Sequence, residues 1–384
     1  NAFCSKFSTA YNSTIPTLKK TIHVKKKPWI TEGLIKSIKE KNRLYCKSKK
    51  RPSDENRERY RLYKNRLTHL LRICQKNYAK KELERNVNNS KGQWKVINSL
   101  IEKKGRSPPP DKMHSDENSP VLTNAVDIAE QFNKFFANAG SSVASTLPST
   151  NVDPLSYMPS VNPSSMFLRP VNEDEICKII DELKDSASGH DNIKPKVIKA
   201  VKAFVAQPLK HIVNLSFKNG VFPSQLKHAV VTPVYKKGKT DLMNNYRPVS
   251  VLCVFSKIFE KLMYKRLISF VEINNILYDK QFGFRKQHST ELAVVEAVSQ
   301  IYDALNERNC MMAVYMDLSK AFDTISHNVL LRKLEYYGVR GPALGWFQSY
   351  LHNRTQVVKY HDAFSSPHNV ICGIPQGTTL GPLL

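Results

Sequence analysis

The sequence predicts a mixed α/β fold preceded by a basic α-helical region, and three observations carry that prediction. The 59 Lys and Arg against 33 Asp and Glu give a net charge of +26, but they are unevenly placed. Residues 1–112 hold 30 against 9, whereas 113–384 hold 29 against 24. Between 29 and 83 apolar residues recur at helical spacing, and from about 186 onward short apolar runs alternate with helical ones. The 384 residues leave room for two to three domains of roughly 100–200 residues each. The chain is 41% hydrophobic, which supports a real core and excludes wholesale disorder. Seven cysteines, none at Cys-x-x-Cys spacing, signal no disulfide scaffold, zinc site or redox pair and fit a reducing compartment. No apolar run reaches the ~18 residues of a membrane span, and no secretory signal is present. A strong positive balance points to a polyanionic partner.

The elements follow in order. Residues 1–27 are polar and basic without a clear period. In 29–83, Tyr60, Tyr63, Leu67, Leu70, Leu71 and Cys74 recur at threes and fours with Arg and Lys between them. A solvated amphipathic helix accounts for this pattern, and so does a nucleic-acid-facing one. The one-sided sign favours the latter, because a merely soluble helix mixes signs and Lys/Arg contacts to phosphate supply most non-specific nucleic-acid affinity. Residues 105–122 form a linker around Pro108, Pro109 and Pro110. A helix is expected over 123–138 with Ala129, Phe132, Phe135 and Phe136 on its apolar face, then a Ser/Pro-rich connector over 140–170. Asn172 with Glu175 is a capping pattern that opens a helix ending near 184. Helices are expected within 193–218 and at 254–273, 289–305, 327–337 and 341–352. Strands are expected at 229–236, 311–316, 355–360 and 368–372. The domain reading is a basic helical region (1–104), a Pro/Ser-rich connector with short helices (105–185), and an α/β unit (186–384).

Three features carry chemistry. The apolar run MMAVYM ends in Asp317, placing a carboxylate at the rim of a sheet, and Asp323 lies six residues on beyond Phe322. An Asp in that position more often caps a helix or faces water. GIPQGTTLGPLL (373–384) combines Gly373, Gly377 and Gly381 with Pro375, which suits a tight strand-to-helix turn, a ligand-binding turn, or both. YKKGKTDLMNNYRPVSVL (235–252) reads as a β-hairpin with Lys236 and Lys237 at the tip and Arg247 on the return arm. Such a tip suits a triphosphate, because Arg binds phosphate bidentately and Lys acts as a point charge. A plain surface hairpin has the same pattern.

In series with QFGFRKQHST (281–290), these segments resemble the reverse transcriptases of non-LTR, Jockey-like retrotransposons. AVYMDLSKAFDTISH resembles the family's motif A and GIPQGTTLGPLL its motif B. The hairpin and QFGFR resemble the fingers motifs, and SGHDNIKP (188–195) resembles the motif that precedes them. KPWIT (27–31) and the basic helices after it resemble the segment that joins endonuclease to polymerase. The spelling SKAFDTISH and the KPWIT segment set the chain apart from group II intron maturases, which share the fold.

The resemblance implies a right-hand polymerase with fingers and a partial palm, an RNA-directed DNA polymerase that copies an RNA template onto a DNA primer with dNTPs. It implies two Mg²⁺ ions about 3.5–4 Å apart, ligated by the catalytic Asp317 with the backbone carbonyl of Leu318. Lys236, Lys237 and Arg247 are implied to hold the triphosphate. Phe322 is implied to pack under the deoxyribose and exclude a ribose 2′-OH, and Gln376 and Gly377 to line the sugar and template base. Asp323 belongs to the same dNTP site or is a structural carboxylate that braces the turn. Arg43, Lys49, Lys50, Arg66, Arg72 and Arg285 are the candidate contacts to RNA, including the element's own. The family also implies a nuclear location with a cytoplasmic ribonucleoprotein stage.

Asn1 at the start, and an end inside an apolar run at Leu384, lead to the expectation of a fragment without the upstream endonuclease, the downstream Asp-Asp motif and the thumb. No Asp-Asp dipeptide occurs in the 384 residues. The expectation is that the chain alone does not polymerise. The alternative is a retroelement remnant that only binds RNA.

Overall fold

The computed structural model describes residues 2–15, 27–101, 109–145, 152–158 and 160–384. The chain divides into two compact units, one comprising Thr17–Pro108 and the other Asn1–Pro16 with Pro109–Leu384. This division differs from the sequence reading, which placed the first sixteen residues with the basic region and cut the remainder at 185.

The basic unit is helical. α2 (Glu32–Lys50) and α3 (Asp54–Arg85) are capped by Thr31 and Ser53, whose hydroxyls accept from Leu34 N and Asn56 N. The periodic stretch is therefore two helices, broken at Arg51-Pro52-Ser53, because Pro52 disfavours helical backbone at the residue before it. Leu34, Leu44 and Leu67 are the buried apolar side chains of α2 and α3. α4 (Ser90–Leu100) packs against α3.

The second unit begins with α1 (Ala2–Thr14), where the sequence reading found no period. Phe3, Phe7 and Tyr11 recur at fours, and that short stripe packs on the core; Phe3 and Phe7 both meet the edge of Phe255. Residues 109–122 are ordered as well. Met113 is fully buried and bridges to Leu122, so this part of the expected linker joins the core. Pro108 and its neighbours 102–107 lie outside the described residues. α5 (Ala125–Ala137) and α6 (Ala139–Ala144) follow, the first capped by Asn124. Then come α7 (Glu173–Asp181), α8 (Pro195–Ala200) and α9 (Lys202–Asn219). Asn172 caps α7 through Glu175 N at 2.8 Å, as its spacing predicts. Gly220 closes α9 with φ +63°, a left-handed turn that glycine adopts without steric cost. The stretch 160–170 between these helices is irregular but packed, with Met166 buried.

A mixed sheet positions the site. β1 (His228–Tyr235) and β2 (Tyr246–Val251) form the expected hairpin, with Val234 opposite Arg247. β3 (Arg354–Tyr360) runs parallel to β1, giving the order β2-β1-β3-β4, where β4 is Ala363–Phe364. β5 (His368–Val370) pairs antiparallel with β3. Pro233 lies beyond the last β1–β3 partners, Val231 and Val358, so it removes no ladder hydrogen bond on that side.

α5 covers one face of the sheet with Ile128, Ala129, Phe132 and Phe136 against Val231, Tyr246, Val358 and Tyr360. The larger core is helical and centres on α10 (Val254–Ile273), which packs with α7, α9, α12 (His327–Tyr336) and α13 (Pro342–Leu351). Trp346 is wholly buried there, stacked on Tyr350.

One expected strand does not form. Residues 311–316 are irregular, and Met312, Val314, Tyr315 and Met316 are at least 76% exposed. α11 (Thr290–Asn306), just before them, buries no residue. A single strand is not stable without neighbours, and none of the strands described pairs with this one. Among the described residues, no helix is long and apolar enough to cross a membrane.

Candidate nucleotide and nucleic-acid site

The turn 373–381 is held from several elements at once. Gly373 N donates to Ile325 O and Ile374 N to Phe322 O, each at 2.8 Å. The Gly373 carbonyl meets Nε2 of buried His327 at 2.8 Å. Burial pushes the His327 imidazole toward its neutral form, which here donates. The Gln376 carbonyl accepts from Ser250 N at 2.8 Å, which seats the turn on β2. Gly377 follows with φ +103°, and a Cβ there would come within 3.1 Å of Ser250 O, so glycine suits both the dihedral and the close approach.

Gln376 Nε2 donates to both carboxyl oxygens of Asp323, at 3.0 and 3.1 Å. Burial raises the Asp323 pKa, while the Gln376 hydrogen bond and the charge of Lys320 lower it. This contact joins the segment 322–327 to the glycine-rich turn. The cleft between them is lined by Pro248, Ser250, Asp323, Gln356, Pro375 and Gln376, among others. Beneath it, Gln356 exchanges hydrogen bonds with Asn133 of α5, which is fully buried and also donates to Ser365 Oγ and Ser366 O.

The structure therefore brings Phe322, Asp323, Gln376, Gly377 and the strand bearing Arg247 into one region. Phe322 is half-buried; Arg247 is exposed on β2, and Lys236 and Lys237 are exposed in the connection beyond β1. Lys236 N donates to Asn245 O at 2.8 Å, and Tyr235 OH donates to Gly238 O at 2.6 Å, so the hairpin end is tied together. Asp317 and Leu318 are not part of this arrangement. Both are exposed in the irregular segment after α11. The expected rim carboxylate thus lacks the sheet that was to carry it. Among the described residues, no group of three or more His, Cys, Asp or Glu side chains could hold a metal ion.

The candidate nucleic-acid contacts differ in availability. Lys50, Arg66 and Arg72 are exposed on α2 and α3. Arg43 pairs with Glu40 at 2.7 Å, and the Lys49 ammonium lies over the Tyr45 ring at 5.9 Å. Arg285 is half-buried and donates to Tyr278 O. On α3 the carboxylates stand at the ends (Asp54, Glu55, Glu58, Glu82, Glu84), whereas 59–81 carry only cations and neutral residues. Asn133, Gln356 and His327 were not found by sequence reasoning. The only signal was an Asn set among the Phe residues of an apolar helix face.

Comparison with known proteins gives a consistent picture. Residues 234–384 match the family described as reverse transcriptase (RNA-dependent DNA polymerase). The chain is 33% identical over 220 residues to the probable RNA-directed DNA polymerase from transposon X-element of Drosophila melanogaster, an alignment covering 56% of this chain and 24% of that protein. It is 34% identical over 228 residues to the corresponding protein of transposon BS from the same organism, covering 57% and 24%. It is 31% identical over 231 residues to the RNA-directed DNA polymerase from mobile element jockey, covering 59% and 25%. The chain thus spans about a quarter of the length of these relatives.

Proposed function

We propose, from the premise that the chain belongs through residues 234–384 to the reverse transcriptase family, that it is the fingers and partial palm of a non-LTR retrotransposon's RNA-directed DNA polymerase. Its substrates are then an RNA template, a DNA primer and dNTPs. The observation that carries this reading is the docking of the Pro375–Gln376–Gly377 turn on β2 and on Asp323. It sets the two segments with the strongest family spelling beside the strand that bears Arg247. In this reading Lys237 and Arg247 hold the triphosphate, with Lys236 nearby. Phe322 packs under the sugar, and Gln376 and Gly377 contact sugar and template base. Asp323 is a brace for Gln376 rather than a nucleotide contact.

Members of this family generally use divalent metal ions; Mg²⁺ is the ion expected for this chain. The residues present do not fit a two-metal centre. Asp317 is the one carboxylate at the motif A position, it is exposed, and the second carboxylate of that segment is committed to Gln376. No step is therefore derived through a metal, and the 384 residues alone are expected not to polymerise. The basic unit supplies sequence-tolerant RNA affinity, through Lys50, Arg66 and Arg72 on exposed helix surface with Arg43 and Lys49 adjacent. Arg285 is a further contact on the other unit.

The test is a pair of assays on purified residues 1–384. Primer extension on poly(rA)/oligo(dT) with Mg²⁺ is expected to give no product, and clear extension overturns the inactivity. Filter binding of the same duplex is expected at low salt, and its absence overturns the substrate assignment.

A further inference from the structure

Glu260 of α10 is fully buried, and neither oxygen meets solvent. Oε1 accepts from the Tyr350 hydroxyl at 3.0 Å and Oε2 from the backbone N–H of Thr379 at 2.9 Å. Tyr350 is itself wholly buried on α13. Arg354, 2% exposed at the start of β3, lies with its guanidinium 4.8 Å from the Tyr350 ring centroid and donates from Nη1 to the Tyr350 carbonyl at 3.1 Å. Its Nη2 has no hydrogen-bond partner among the described residues, and none of their carboxylates lies within ion-pair distance of it. Glu260 is therefore not half of a tight ion pair; burial pushes its carboxyl above the usual range, and the Thr379 amide and the nearby charge of Arg354 oppose that only in part.

A buried carboxyl in a helical core needs a reason, because well-packed apolar side chains of similar volume often hold such a place at equal or lower free energy. Here the carboxyl makes two contacts that an apolar residue could not make, and one of them, to the Thr379 amide, reaches the glycine-rich turn. That amide belongs to a tightly knit stretch. Thr378 Oγ1 donates to Pro375 O and accepts from Gly381 N, each at 3.0 Å. A pull on Thr379 is thus passed directly to Pro375–Gln376–Gly377. The turn has anchors at Gly373 and Gln376 from 322–327 and β2, and Glu260 is the anchor at its far end.

We propose that Glu260 is a positioning residue that fixes the seat of Gln376 and Gly377 on β2, and so governs recognition of the nucleoside part of a dNTP while leaving the triphosphate contacts alone. This rests on the nucleotide-site reading given above. The Tyr350 hydroxyl holds the carboxyl, Arg354 in turn packs on Tyr350, and Lys237 and Arg247, on the hairpin, do not depend on it.

The experiment uses residues 1–384 bound to poly(rA)/oligo(dT), with dTTP and inorganic tripolyphosphate as separate probes in equilibrium dialysis, and amide hydrogen exchange over 374–381. Removing the acceptor strands a buried donor, so Glu260→Ala is expected to speed exchange at Thr379 by about tenfold or more. It is expected to weaken dTTP by a similar factor and to change tripolyphosphate less than about twofold. Glu260→Gln keeps an oxygen acceptor and is expected to restore both readouts to within about threefold. If Glu260→Ala does not fold, Tyr350→Phe replaces it, and accelerated exchange at Thr379 is again expected because the carboxyl loses its second anchor. Unchanged exchange in a folded Glu260→Ala, or equal losses for dTTP and tripolyphosphate, overturns the proposal. Absence of dTTP binding by the unaltered chain overturns the nucleotide-site reading instead, and amide exchange then decides by itself whether Glu260 positions the turn.

Discussion

Asn133 offers the sharpest test of how the cleft is supported. Its side chain is fully buried between α5 and the sheet. Oδ1 accepts from Gln356 Nε2 at 2.9 Å; Nδ2 donates to Ser365 Oγ and Ser366 O at 2.9 and 2.8 Å, with Gln356 O at 3.3 Å. Asn133→Ala removes these bonds and leaves Gln356, 8% exposed, with an orphaned donor. Ser365 stays satisfied, since its hydroxyl accepts from Val358 N and donates to Ser366 O. A stranded buried donor costs about 1–3 kcal/mol, and the void left by the amide adds to it, so a loss of about 3 kcal/mol is expected. With a urea m-value of about 3 kcal/mol/M, the unfolding midpoint falls by roughly 1 M. The double substitution Asn133→Leu with Gln356→Leu removes donor and acceptor together and is expected to cost much less than the two single changes added. A loss below about 1 kcal/mol for Asn133→Ala, or strict additivity in the cycle, refutes the account of a coupled buried network.

The remaining predictions concern pH, salt and self-association. Glu130 accepts from Ser366 N, Ser366 Oγ and His368, which hold its carboxyl down to about 2, against 4.5 for the free group. A depressed folded pKa gives stability that is present above the unfolded value and lost as pH falls through the folded one. The stability difference between the unaltered chain and Glu130→Gln should therefore shrink from pH 5 toward pH 3, as followed by urea midpoints, and a constant difference would contradict it. RNA affinity of the basic unit should fall linearly in log–log form with salt. Arg66→Ala with Arg72→Ala should reduce the slope by roughly 1–2, and equal binding at low and high salt rules the electrostatic account out. The exposed apolar stretch around Met312 and Tyr315 should make the 384-residue chain self-associate. Met312→Lys with Tyr315→Lys should shift sedimentation toward the monomer, and an unchanged profile argues against this patch.

Much of the helical scaffold was legible because it rests on local periodicity and capping. Asn172 caps its helix at the spacing its pattern with Glu175 indicated, and α10 and α11 lie within a residue of their expected bounds. The hairpin was legible from the turn chemistry between two alternating runs. What could not be read is what depends on partners far along the chain. The run 311–316 has every local mark of a strand, yet strand formation is settled by neighbours, and none of the described strands pairs with it. Glu260 and Thr379, or Asn133 and Gln356, meet across more than a hundred residues with no pattern linking them. The helical stripe of Phe3, Phe7 and Tyr11 was available and was hidden by the polar residues around it. Of the site, Gln376, Gly377, Phe322 and Asp323 stand together, whereas Asp317 stands apart.

The placement of α1 has a consequence for synthesis. Phe3 and Phe7 pack on Phe255, and Tyr11 donates to the carbonyl of Asn192. At about 5–20 residues per second, the ribosome needs roughly 10–50 s to reach Phe255 after making Phe3. Through that interval Phe3 and Phe7 lack Phe255 as a partner. The basic helices, whose contacts are local, can fold within it. α1 thus takes its place on Phe255 only after the basic helices that follow it, and Phe3 and Phe7 leave the nascent chain open to misassembly until then.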